Sequence, residues 1–256
     1  MRGLKDKVAI VAGAAPGNIG GATAIRLAEE GTVVVAADLT EAAARSIVDE
    51  IRALGGRAAA RPFDITDEAS YKELVDFTVK EFGRVDGLFN VAADLSAGTV
   101  GRDSDVISVP LEVWRHTIDV TLTGYMYGIR HALPIMIEQG SGAIVNTMSS
   151  IVWMGEDRRV AYQAAKAGLY GLTRHTATVG GKRGVRCNSV APGVILTRAA
   201  LSATTEEYRE GILASVRSPR LGVPEDLAAM VAFLFSDDGA YVNGQTILVD
   251  GGANFT

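Results

Sequence analysis

Cysteine is nearly absent from this chain of 256 residues, with Cys187 its single example. A disulfide scaffold is thereby excluded, and one lone thiol fits a reducing compartment. Long apolar runs are missing too, and none approaches the roughly 18 residues a membrane span needs. Met1–Lys7 lacks the apolar stretch and cleavage site of a signal peptide, so a cytoplasmic location and no membrane partner are expected. Basic residues are the minority, 25 Lys and Arg against 30 Asp and Glu. With a net charge of −5 and no basic stripe, nucleic acid is not an expected partner. The histidines, His116, His131 and His175, are scattered without ligand spacing, so no metal site is expected.

What the chain has is apolar content and glycine. Hydrophobic residues make up 48%, which excludes disorder. The 29 glycines exceed the usual share of about 7% and fall mostly at the ends of apolar runs. Those runs are short and continuous, the habit of strands buried on both faces of a parallel sheet. Residues 8–12, 32–37, 57–61, 85–91, 143–148, 185–190 and 246–249 read as strands. Helical patterns occupy 19–30, 41–54, 67–82, 111–139, 160–180 and 225–235. This alternation predicts an α/β fold: a single doubly wound Rossmann-type domain over 1–256, with a mostly parallel seven-stranded sheet and helices on both faces. Two stretches break the rhythm, 92–110 and 195–222. Both begin at carboxyl ends of strands, where open α/β sheets bind ligands, so they are candidate substrate loops; ordinary surface loops are the competing reading.

After the first strand comes Gly13-Ala14-Ala15-Pro16-Gly17-Asn18-Ile19-Gly20-Gly21. Glycines there permit a tight turn and let backbone amides approach a pyrophosphate at the following helix N-terminus. Asp38, ending the second strand, is placed to accept hydrogen bonds from adenosine ribose hydroxyls and to repel a 2′-phosphate. No Lys or Arg stands in the glycine loop or directly after Asp38, so NAD rather than NADP is the expected cofactor. Asp38 or Thr40 can also cap the helix from Glu41.

Tyr162 and Lys166 are four apart on a helix and share a face. A nearby ammonium favours the phenolate of a tyrosine whose ordinary pKa is near 10. Such a tyrosine can exchange a proton with a substrate alcohol or carbonyl. Ser149-Ser150 follows the fifth strand, where a hydroxyl can bond the same oxygen. Arg158 and Arg159, just before Tyr162, read as a solvated helix start, with contact to an anionic substrate as the competing reading, and Arg102, Asp103 and Asp105 read as solvated loop charges.

Together these residues resemble the short-chain dehydrogenase/reductase family over essentially the whole chain. The resemblance places Ser150, Tyr162 and Lys166 on the catalytic set, with Thr121 where the family has an Asn that positions a relay water. It implies cofactor contacts from Gly13, Gly17, Asn18, Ile19 and Gly20, from Asp38 and neighbouring Leu39, and from Asp64 and Ile65 beside the adenine. It implies further contacts from Asn90 and Ala92 after the fourth strand, from Tyr162 and Lys166, and from Pro192, Gly193, Ile195 and Thr197 at the nicotinamide. Ser150 would polarise the substrate oxygen, Tyr162 exchange the proton, and Lys166 hold the nicotinamide ribose. The chain departs from the family pattern at Ala12, at the extra residue of the glycine loop, at Val91 and at Thr121. The expected activity is NAD-dependent oxidation of a partly apolar secondary alcohol, or reduction of the ketone, by a homo-oligomer. A 3-oxoacyl-type reductase and an NAD-sensing protein without catalysis are the alternatives.

Overall fold

The computed structural model describes residues 1–255. Seven strands form one sheet: β1 (Val8–Ala12), β2 (Val33–Asp38), β3 (Ala58–Pro62), β4 (Gly87–Asn90), β5 (Gly142–Thr147), β6 (Val185–Pro192) and β7 (Thr246–Val249). Their order is β3-β2-β1-β4-β5-β6-β7, and every neighbouring pair is parallel. All five residues of β1 are buried. Its side chains alternate, with Ile10 and Ala12 in one apolar cluster and Ala9 and Val11 in another. Both faces of the sheet are therefore covered, which explains why these strands read as unbroken apolar runs.

The helices are α1 (Ile19–Glu29), α2 (Glu41–Ala53), α3 (Glu68–Phe82), α4 (Leu111–Ile118), α5 (Gly124–Gln139), α6 (Ile151–Met154), α7 (Val160–Gly181), α8 (Arg198–Ala203), α9 (Glu206–Ser215) and α10 (Pro224–Phe235). Apolar β-branched strands, polar caps and terminal glycines set most boundaries: Thr40 caps α2, Asp67 caps α3, and Gly83 ends α3 in the left-handed region. Two expectations are corrected. The helix expected over 111–139 is interrupted by a π-turn at Asp119–Thr123, a widening that periodicity does not reveal. The stretch 195–222 is not plain loop, because Thr197 and Thr205 start α8 and α9 there.

Strand order reverses direction between β1 and β4. The chain leaves β1 toward β2 on one side and returns to β4 on the other. The crevice above that point, at the carboxyl ends of the strands, is where this sheet geometry opens a ligand cleft.

Candidate active site

A cavity of about 620 Å³ opens at this switch point. Gly13, Asn18, Ile19 and Gly20 line it from the β1–α1 turn, Asp38 and Leu39 from the end of β2, and Asp64 and Ile65 from the end of β3. Ala92 lines it from the segment after β4, and Thr197 from the start of α8. The turn is cut close. Gly13 has φ +111, and a Cβ there would meet the Ala92 backbone nitrogen at 2.6 Å. A Cβ on Gly20 would meet the Gly13 carbonyl oxygen at 2.0 Å. Only glycine lets the α1 N-terminus come this near the turn, and its amides face a groove sized for a dinucleotide. The residues present thus fit such a cofactor.

Thr40, not Asp38, caps α2, its side chain accepting from the Ala43 amide. Asp38 is left facing the cavity. Burial pushes its carboxyl above its ordinary value, and the Thr40 and Leu39 amides oppose the rise. Asp64 is exposed, its carboxylate accepting from the Thr66 amide at 2.8 Å and the Thr66 hydroxyl at 2.7 Å.

Other expected cofactor residues stand apart from the cavity. The Asn90 side chain faces the core instead: it accepts from the Tyr71 hydroxyl and donates to Asn146 Oδ1 at 2.9 Å. The chain of polar contacts continues from Asn146 to Thr173 at 3.0 Å and from Thr173 to Ser189 at 2.7 Å. Asn90 therefore ties β4 to β5 from within, as a buried amide must find partners. Gly17, Pro192, Gly193 and Ile195 do not line the cavity either. Gly17 accepts at its carbonyl from the Arg198 amide at 2.9 Å, which docks α8 on the glycine loop. Gly193 lies against Asp250, and Ile195 bridges to Gly222.

Beside the cavity, at the carboxyl end of β5, α7 presents Tyr162 and Lys166. Lys166 is 1% exposed. Its ammonium donates to the Thr147 carbonyl at 2.6 Å and lies 5.2 Å from the Tyr125 ring centre and 5.4 Å from that of Tyr162. Burial pushes its pKa down to about 7. The Tyr125 hydroxyl donates to the Ala92 carbonyl at 3.2 Å, so the lysine site and the cavity share a wall. Burial raises the Tyr162 phenol, while the Ser149 hydroxyl and the Arg159 guanidinium favour its ionised form.

That geometry corrects three expectations. Ser149, rather than Ser150, is the serine whose hydroxyl favours the ionised Tyr162. Ser150 is 4% exposed, and its amide is held by the Pro192 carbonyl at 2.9 Å. Arg159 is not simply solvated: its guanidinium lies 5.9 Å from the Tyr162 ring centre while it chelates Glu156 at 2.6 and 2.8 Å. Asp103 is buried, not solvated. Thr121, 2% exposed, sits in the π-turn packed against α7.

The loop after β4 adds residues to the cavity wall that sequence reasoning passed over. Asp94 lines it and accepts from the Thr99 hydroxyl at 2.6 Å and the Ser96 amide at 3.0 Å, with His116 Nε2 at 3.0 Å. Burial disfavours this carboxylate, but Thr99, Ser96 and His116 outweigh it and hold the group well below the usual range. Among the described residues no cluster of potential metal ligands occurs, and no helix is long and apolar enough to cross a membrane.

Comparison with known proteins bears on the same surface. A family profile described as Enoyl-(Acyl carrier protein) reductase matches residues 13–254. A 7alpha-hydroxysteroid dehydrogenase of Bacteroides fragilis is 39% identical over 98% of this chain and 96% of its own length. A cyclohexanol dehydrogenase of an Acinetobacter species is 40% identical over 97% and 95%. A solved structure of a 7 alpha-hydroxysteroid dehydrogenase, complexed with NADH and 7-oxo glycochenodeoxycholic acid, superposes with a TM-score of 0.89. It is 33% identical and covers 97% of this chain and 94% of that one.

Proposed function

The chain belongs to the short-chain dehydrogenase/reductase family, and from that premise we propose that it is an NAD-dependent dehydrogenase of cyclic secondary alcohols, able to reduce the corresponding ketones. Action on a CH–OH group with a nicotinamide cofactor follows from the family and its relatives. The choice of NAD rests on Asp38 in the cavity wall. Among the described residues lining that cavity none is Lys or Arg, so a 2′-phosphate placed at Asp38 would meet a like charge. The cyclic substrate class rests on the steroid and cyclohexanol rings that the relatives' names carry, and on the apolar Val152, Trp153 and Met154 just past Ser149.

NAD, when bound, supplies the hydride-accepting carbon, chemistry that no side chain possesses. The glycine turn would hold its pyrophosphate, Asp38 its ribose, Asp64 and Ile65 its adenine, and Ala92 and Thr197 its nicotinamide end. The protein's own residues then handle oxygen and proton. Ser149 donates to the substrate oxygen and fixes it against Tyr162. The Tyr162 phenolate removes the alcohol proton during oxidation, and the phenol returns it during reduction. Lys166, buried between two tyrosine rings, supplies positive charge beside that proton path. Thr121, buried in the π-turn that packs against α7, carries a shorter side chain than the family's relay Asn at that position.

We further infer one domain over 1–256, since a single sheet takes strands from both ends of the chain, with 92–110 and 195–222 shaping the substrate side. The single buried thiol of Cys187 supports a reducing, cytoplasmic setting. A homo-oligomer is supported by the exposed small-residue stripe of α7 at Ala167 and Gly171.

The single observation that carries the functional reading is Tyr162 and Lys166 on one turn of α7, with Ser149 at the phenol, beside a cavity walled by Asp38. A panel of cyclic secondary alcohols, cyclohexanol and hydroxysteroids included, tests it with NAD and NADP side by side. Reduced cofactor is expected to form with NAD and at least one member. A preference for NADP would remove the role given to Asp38, and binding of NAD without any turnover would leave a sensor instead of an enzyme.

A further inference from the structure

Asp103 takes no part in the chemistry above, yet its side chain is 1% exposed. A carboxylate persists in such a place only when it is paired or hydrogen-bonded. Its partners are the opening amides of the catalytic helix. One oxygen accepts from the Ala161 amide at 3.0 Å and the other from the Tyr162 amide at 2.9 Å. The Asp103 carbonyl accepts from the Arg159 amide at 2.9 Å, and the Ser104 carbonyl from the Val160 amide at 3.2 Å. Two adjacent loop residues thus satisfy four successive amides that a helix start leaves without partners.

An ordinary cap comes from the residue next to the helix and satisfies one amide. Here that residue, Arg159, has no capping side chain and stands at φ +59, a left-handed conformation its surroundings must enforce. The cap comes instead from 58 positions away. The loop that delivers it is itself anchored near its start, where Thr99, Ser96 and His116 hold Asp94.

We propose that Asp103 is a positioning residue for Tyr162, holding the first turn of α7 so that the phenol stays against Ser149 and Lys166, and making the loop after β4 move as one piece with the catalytic helix. A substrate resting on that loop is then registered against the proton-exchanging group by the same carboxylate. Proton transfer is sensitive to such registration, because a misplacement of about 1 Å can cost about a hundredfold in rate. This role rests on the reading of Tyr162 as the proton carrier.

The test uses the full-length protein with 3-fluorotyrosine incorporated and follows fluorine resonances without any substrate. Tyr162→Phe identifies the Tyr162 signal. In Asp103→Ala, which removes both acceptors, and Asp103→Asn, which keeps one, that signal is expected to move or broaden while the exposed Tyr241 signal stays. With an alcohol from the panel, kcat is expected to fall at least about tenfold, with NADH affinity at the parent's value and the Asn variant intermediate. Asp67→Ala, which removes an ordinary cap on the Ala69 amide of α3, is expected to lower thermal stability and change neither the Tyr162 signal nor kcat. An unmoved Tyr162 signal in a folded Asp103→Ala overturns the proposal, as does a raised KM with kcat intact. Asp103→Asn decides the matter if the Ala variant does not fold. Turnover surviving in Tyr162→Phe would remove the reading of Tyr162 itself while leaving the resonance test of Asp103 standing.

Discussion

At the end of β5 the chain offers two hydroxyls one position apart, Ser149 and Ser150, and only side-chain direction separates them. The sequence marks the pair but not the direction, which depends on how the chain turns into α6. Arg159 was equally illegible, because a charge before a helix is usually solvated, and only the left-handed turn folds it over Tyr162. Asp103 was hidden for the same reason: its partners lie far along the chain. Asp38, Tyr162 and Lys166 were readable because strand end and helix spacing fix where they point. Arg159 carries a pH consequence. Its guanidinium favours the Tyr162 phenolate against burial. Arg159→Gln removes that charge, so the phenol's pKa rises further. Oxidation needs the phenolate, so the acid limb of the kcat/KM profile for alcohol oxidation is expected to move to higher pH and the neutral-pH rate to fall. Reduction needs the phenol, so its profile extends to higher pH. A profile unmoved by Arg159→Gln would separate Arg159 from the phenol.

Elements were legible where one physical signal dominated. Unbroken apolar runs gave the strands, and Gly or Thr and Asp caps gave most helix ends. The long helix over 111–139 was not fully legible, since the π-turn at Asp119–Thr123 leaves apolar periodicity nearly intact. The pair α8 and α9 escaped because neither has a buried residue to set a period. Helix α7 shows a third case. Its inner face carries Lys166 and Leu169, both buried, whereas Ala167, Tyr170, Gly171 and Arg174 form an exposed stripe. Space stands open beside Gly171, with nothing within 4 Å of a Cβ placed there. Small residues on such a stripe let a second helix approach closely. Ala167→Glu is expected to shift the protein to a smaller species in gel filtration coupled to light scattering. A parent that already runs as a monomer would contradict the oligomer.

At the scale of the whole molecule, the seven strands in the order β3-β2-β1-β4-β5-β6-β7 place β1 and β4 side by side and open one crevice between them. The strand ends deliver most of the site to that edge: the glycine turn after β1, Asp38 at the end of β2, Asp64 after β3, Ala92 after β4, Ser149 after β5 and Thr197 after β6, while α7 brings Tyr162 and Lys166. Strand alternation alone predicts this convergence, which is why the sheet and the cofactor cleft were readable before the substrate side was. The stretches 92–110 and 195–222, proposed above to shape the substrate side, take their form from tertiary contacts such as Asp103 on α7 and Arg198 on Gly17. The central claim is that this architecture exists to bring a proton-exchanging tyrosine to a cofactor held at the switch point. Tyr162→Phe tests it most directly, through NADH binding by fluorescence and turnover with an alcohol that the parent oxidises. Unchanged NADH affinity with turnover reduced about 10²–10⁴-fold is the expected result for loss of a general acid–base group. Turnover equal to the parent's would contradict the account.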